Sequence, residues 1–106
     1  MKLMEDKFLH LLGFCQKAGI LSSGTGTVRE LIKKGKAYLI IGAVDLSDRL
    51  WKDVESSCNY KGIPYLRNKT KIQLGDAIGK SPRGLIAIGE RNFALQLLKA
   101  AGIEIM

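Results

Sequence analysis

Apolar residues fall into two rhythms along this chain. Met4, Phe8, Leu11, Leu12 and Cys15 recur three and four positions apart, so Met4 to Lys17 reads as an amphipathic helix stopped near Gly19. Ile20 to Ser22 leaves room only for a very short strand. Val28, Leu31 and Ile32 form the inner face of a second helix, which Gly35 closes. "AYLIIGAVD" is continuously apolar with β-branched and aromatic members, the pattern of a strand covered on both faces. Asp45 or Ser47 caps a third helix with Leu50, Trp51, Val54 and Cys58 on its stripe. Gly62-Ile63-Pro64 then turns the chain into a strand, "IPYLRN". Thr70 caps a short helix through Ile72, Leu74, Ala77 and Ile78 that ends at Gly79. "GLIAIG" is another buried strand, and Phe93, Leu97, Leu98 and Ala101 mark a final helix.

Helices alternating with buried strands predict an α/β fold, an α/β/α sandwich on a small mixed sheet. At 106 residues the chain can bury one core, and residues 1–106 are read as a single domain without repeat or linker. The longest apolar runs, around Tyr38 to Val44 and Leu85 to Ile88, fall far short of the roughly 20 residues of a membrane-spanning helix. Glu5, Asp6 and Lys7 stand where a signal peptide would be apolar, so a cytoplasmic protein is expected, with no membrane partner. Cys15 and Cys58 are too few and too far apart for a metal site or disulfide framework. Each falls on a helical stripe, which reads as two buried free thiols. Trp51 shares such a stripe and reads as a core anchor. His10 lies off the first stripe, and as the single histidine it leaves no nucleophile–His–acid set. No catalytic centre, cofactor or metal is expected.

Charge narrows the partners. Seventeen Lys and Arg against ten Asp and Glu give a net +7, which suits a protein that meets phosphates. The stretch "LSSGTGTVRELIKKG" carries Gly24 and Gly26 where the second helix begins, although glycine costs a helix about 1 kcal/mol relative to alanine. Three readings compete. As a dinucleotide loop, Gly24-Thr25-Gly26 lacks the third glycine, replaced by Arg29. Thr27-x-x-Glu30 matches a capping box, which would make the glycines part of a turn. An open helix N-terminus, whose amides and dipole favour phosphate, would use glycine to let an RNA backbone approach. The third reading is favoured by Lys33, Lys34 and Lys36 at the end of that helix. It is favoured too by the basic loop "GKSPRG", where Lys80 and Arg83 flank Ser81 and Pro82. The expected contacts are Gly24, Thr25, Gly26 and Thr27 through backbone and hydroxyl. Lys33, Lys34, Lys80 and Arg83 would meet phosphates, with both Lys80 and Arg83 exposed, and Ser81 and Pro82 would shape the second loop.

The pieces "KAGILSSG", "KKGKAYLIIGAVD" and "LGDAIGKSPR" resemble the kink-turn-binding ribosomal protein family, the L-seven-Ae and L-thirty-e group, and most of all its small bacterial YlxQ-like members. The resemblance covers about Phe8 to Phe93. It implies an α/β/α sandwich, no enzymatic activity, and structured RNA, ribosomal or kink-turn-like, held at the mouth of the second helix and at the loop before the last strand. It also implies a departure. Family members that bind kink-turns open the second helix with Gly-x-Asn-Glu and a Lys three residues after the Glu. Here Gly26, Thr27 and Glu30 stand in place of that Asn, Glu and Lys. Backbone capture of phosphate survives such changes, whereas base-edge readout loses its donors and acceptors. Gadd-type relatives on the same fold act through proteins, so the alternative is a protein-interaction module with RNA binding lost.

Overall fold

The two longest apolar runs become the two central strands. The computed structural model describes residues 6–103, so Met4 of the first stripe lies outside the described residues. In chain order the elements are α1 (Lys7–Lys17), β1 (Leu21–Ser23), α2 (Thr25–Lys33), β2 (Leu39–Gly42), α3 (Asp48–Lys61), β3 (Tyr65–Arg67), α4 (Lys71–Ala77), β4 (Leu85–Ile88) and α5 (Arg91–Ala100). The sheet order is β1-β4-β2-β3, with β4 antiparallel to both neighbours and β2 parallel to β3.

Every residue of β2 and β4 is buried, as their unbroken apolar sequence requires. Successive side chains point to opposite faces. Leu39, Ile41, Ile86 and Ile88 pack with Phe8, Leu12 and Cys15 of α1, Leu74 of α4 and Leu97 of α5. Ile40, Leu85 and Ala87 pack with Val28 and Ile32 of α2 and with Trp51, Val54 and Cys58 of α3. The result is an α/β/α sandwich: α1, α4 and α5 on one face, α2 and α3 on the other. Each fully buried Ile or Leu contributes about 1.5–3 kcal/mol relative to exposure, so the sheet is anchored from both sides.

Three details differ from, or choose between, the sequence expectations. β1 begins at Leu21 rather than Ile20, because the Ile20 amide is taken by Cys15 O at 3.1 Å in closing α1. Ser47 caps α3, its Oγ accepting from the Leu50 amide at 3.2 Å, whereas Asp45 reaches across to accept from the first amide of α4, Lys71 N, at 3.0 Å. The capping box of this chain lies at α4, where Thr70 Oγ1 accepts from Gln73 N and Gln73 Oε1 from Thr70 N, at 3.2 and 2.9 Å.

Trp51 is a core residue, edge-on to Tyr65 with ring centroids 5.8 Å apart, and the Arg67 guanidinium lies 4.9 Å over its ring. Cys15 and Cys58 are fully buried free thiols in the two separate cores. Burial pushes both up to about 11, with the charge of Glu90 adding to the effect on Cys15, so both are thiols at neutral pH. No helix among the described residues is long and apolar enough to cross a membrane.

Candidate nucleic-acid interface

β1, β2 and β3 all end, and β4 begins, at one edge of the sheet, so the openings of α2, α3 and α4 gather there with the loop of residues 79–84. In open α/β sheets the carboxyl ends of strands are where ligands bind, because the helix N-termini point their free amides to that edge.

The opening of α2 differs from the others. Asp6, Ser47, Thr70 and Glu90 cap their helices with side chains, whereas α2 starts from Gly24 with no side-chain cap. Gly24 has φ 104° and ψ 143°, a conformation essentially restricted to glycine, so no side chain could be placed there without strain. Its amide donates to Leu85 O at 3.0 Å, tying the helix mouth to β4, and its carbonyl accepts the first helical bond from Val28 N at 3.0 Å. Thr27 is the third residue of the helix and cannot be its cap, so the Thr27–Glu30 capping box, the second of the three readings, does not form. Glu30 instead faces Lys34 at 3.8 Å, a solvated pair one turn apart.

Gly26 is exposed, and a Cβ built on it would meet nothing within 4 Å. Its φ is an ordinary helical one, so neither packing nor backbone conformation in this chain calls for glycine at that position. Thr25 and Thr27 flank it, also exposed.

The basic loop is pressed onto this mouth from the side. Arg83 Nε donates to Ser23 Oγ at 3.1 Å, and its Nη1 donates to Ser81 Oγ at 2.7 Å and Ser81 O at 3.3 Å. Arg83 is therefore half-buried rather than exposed as its sequence context predicts, because its fork bridges β1 and the loop. Lys80, Ser81 and Pro82 are exposed. On the loop's inner side, Gly75 of α4 lies so close that an added Cβ would stand 2.3 Å from Ser81 O. The Lys80 amide donates to Gly75 O at 2.9 Å and the Arg83 amide to Lys71 O at 3.1 Å, fixing the loop to α4.

The structure thus joins Gly24, Thr25, Gly26 and Thr27 with Lys80, Ser81, Pro82 and Arg83 in one surface. Lys33 and Lys34 do not belong to it. They lie at the far end of α2, about 14–15 Å along the axis from Gly24 at 1.5 Å per residue, and Lys34 faces Glu30. A shallow groove of about 200 Å³ beside Gly26, lined by Arg29, Lys33, Asp53 and Ser57 among others, runs between α2 and α3. Sequence reasoning missed Ser23 and Gly75, which position the loop. The glycine inside the helical pattern "KIQLGDA" was the available signal for the second, since glycine there is costly without a close neighbour. Among the described residues no group of His, Cys, Asp and Glu could hold a metal ion.

Comparison with known proteins agrees with this architecture. A family model described as "Ribosomal protein L7Ae/L30e/S12e/Gadd45 family" matches residues 6–97. A protein of Bacillus subtilis (strain 168) named RNA-binding protein YlxQ is 33% identical over 88 residues, covering 83% of this chain and 88% of that one. Its namesake in Enterococcus faecium is 28% identical over 90 residues, covering 85% and 86%. Among solved structures, a Bacillus halodurans protein of unknown function has a TM-score of 0.88 at 28% identity, covering 92% of this chain and 99% of that one. The Giardia lamblia 15.5kD RNA binding protein has a TM-score of 0.75 at 23% identity, covering 96% and 94%, and shows the shared fold.

Proposed function

This chain belongs to the ribosomal protein L7Ae/L30e/S12e/Gadd45 family, and on that premise we propose that it is a non-catalytic, cytoplasmic protein of the kink-turn-binder type that binds structured RNA. The contact surface is the α2 mouth together with residues 80–83, and ribosomal RNA is the natural substrate class. Gly26 carries the reading. An exposed helical glycine with open space around it costs stability and serves nothing inside the chain, whereas an RNA backbone lying on the α2 amides would need the room. Lys80 supplies an exposed cation beside it, and Arg83 holds the two loops in register.

Gly26, Thr27 and Glu30 offer no amide–carboxylate pair to read sheared base pairs, so recognition rests on phosphate and shape rather than on base edges. The same three residues favour the second reading, a protein-docking module with RNA binding lost.

Titration of a kink-turn and a plain duplex against wild type, Gly26→Val and the triple variant Gly26→Asn/Thr27→Glu/Glu30→Lys separates the two. Gly26→Val should fold normally, since valine is the better helix former by a few tenths of a kcal/mol, and should bind both RNAs more weakly. The triple variant should raise the kink-turn over duplex ratio. Wild-type affinity should fall by about 0.7–0.9 log units per log unit of salt for each phosphate neutralised, by analogy with DNA and single strands. A flat salt response, with Gly26→Val indistinguishable from wild type, would favour the protein-docking reading.

A further inference from the structure

The outer face of α1 and α5 lies in the helical layer opposite α2, and its charge pattern is unlike any other face of the molecule. α1 carries Lys7 and Lys17, α5 carries Arg91 and Lys99, and neither helix contains an aspartate or glutamate. All four cations are exposed, and among the described residues none has an ion-pair partner. The α2–α3 layer, by contrast, interleaves its cations with Glu30, Asp48, Asp53 and Glu55, and two of its cations, Arg29 and Lys34, face carboxylates at 3.8 Å.

An open groove of about 690 Å³ runs between the two acid-free helices. Lys7 and Lys99 stand on its rim, Gln96 offers an amide, and Phe14 lies in it with 58% of its surface exposed. Exposed aromatics beside unpaired cations are the elements of a stacking platform for single-stranded nucleic acid, in which a base lies on the ring and phosphates meet the ammonium groups. We propose that the α1–α5 groove is a second RNA contact, which takes a single-stranded segment with one base stacked on Phe14 and its phosphates on Lys7 and Lys99.

An acidic amphipathic helix would satisfy the same charges, but it docks through anchors at i, i+3, i+4 and i+7 into a row of apolar sites. This groove offers one largely exposed apolar side chain, Phe14, with Leu11 half-buried and Ala100 small. Lys17 at the end of α1 and Arg91 at the start of α5 are further exposed cations on the same two helices, outside the groove lining. The groove does not depend on the α2 mouth, so the two surfaces stand or fall separately.

The test is an anisotropy titration of the full chain with a fluorescein-labelled oligouridylate about a dozen nucleotides long, within the span single-strand platforms cover. Phe14→Ala should weaken binding about fivefold or more, the loss of one stacked base. Lys7→Glu with Lys99→Glu should weaken it at least as much and flatten the salt dependence by about 0.7 log units for each phosphate left without its lysine. The charge-matched pair Lys52→Glu with Lys61→Glu, exposed on α3 and outside both surfaces, should stay within about twofold of wild type, a smaller change than one lost stack. Thermal melts check that each variant folds, and should Phe14→Ala melt early, the lysine pair decides. The proposal is overturned if both groove variants bind like wild type. It is equally overturned if oligouridylate shifts only amides of α2 and residues 79–84, or if an acidic helical peptide occupies the groove and oligouridylate fails to displace it.

Discussion

The mouths of α2 and α4 open at the same sheet edge, each after a short strand, and they are finished in opposite ways. At α4, Thr70 and Gln73 cap one another's amides and Asp45 takes the amide of Lys71, so the chain satisfies that end itself. At α2, Gly24 contributes no side chain, and Gly26 and its two threonines face outward. Glycine is used in both helices, but for different neighbours. Gly75 in α4 is needed by the protein's own backbone, which passes where a Cβ would sit, whereas the space beside Gly26 is empty. A capped end closes a helix for stability, and an uncapped one leaves its amides and dipole for something else.

The same substitution at the two glycines gives the largest expected contrast. Gly75→Ala drives a methyl into Ser81 O and should lower stability by about 1–3 kcal/mol, the usual cost of overpacking, unless the 79–84 loop moves away. Gly26→Ala should raise it by up to about 1 kcal/mol through helix propensity. Denaturant midpoints of the two variants measure this, and equal signs would abolish the distinction between the glycines.

A smaller effect tests the cap. Thr70→Ala removes the acceptor for Gln73 N and should lower stability by about 1 kcal/mol, read as a lowered melting temperature. No comparable loss is expected from Thr27→Ala, because Thr27 caps nothing. A drop of the same size there would mean that the α2 mouth is closed by its own side chain after all.

The smallest effect is one that acid removes. Asp6 caps α1 at this same edge and pairs with Lys69, and that hydrogen-bonded pairing holds its carboxyl below the ordinary value of 3.8. A depressed folded value stabilises the ionised native state above pH 3.8, and the contribution is lost as pH falls through the lower folded value. Asp6→Asn keeps a competent cap but removes the charge. Its melting temperature should fall slightly below wild type near neutrality, and the gap should close in acid and in high salt. A gap that is unchanged across both would assign the stabilisation to the cap rather than to the ion pair.

Most of the strands and helical stripes, the buried thiols and the place of Trp51 were legible in one dimension, whereas Tyr38 and Val44 at the ends of the "AYLIIGAVD" run and Ile72 of the α4 stripe are exposed. Burial repeats with the period of the element, so a run such as "LIIG" or a stripe such as Leu50, Trp51, Val54 and Cys58 declares its own environment. The candidate surface was half legible. Glycines at a helix start and a Lys-Ser-Pro-Arg loop are local signals, whereas the roles of Ser23 and Gly75 depend on partners 60 and 6 residues away, Arg83 and Ser81. Thr27-x-x-Glu30, one of the three readings weighed for this stretch, matches a capping box without forming one, because the pattern carries no information on where the helix begins.

Local pattern determined which segments of this chain are helix or strand, because propensity and burial period act over a few residues. The charge balance determined that a polyanion suits it. The meeting of distant residues was decided only by the packed sheet. Pairing β4 between β1 and β2 set the 79–84 loop against the mouth of α2, turned Arg83 inward as a fork, and left Lys33 and Lys34 at the far end of the helix. It also laid α1 against α5, merging two acid-free helices into one cationic face. Strand order is a property of the whole chain, fixed by which apolar faces can be buried together, and no short stretch of sequence carries it.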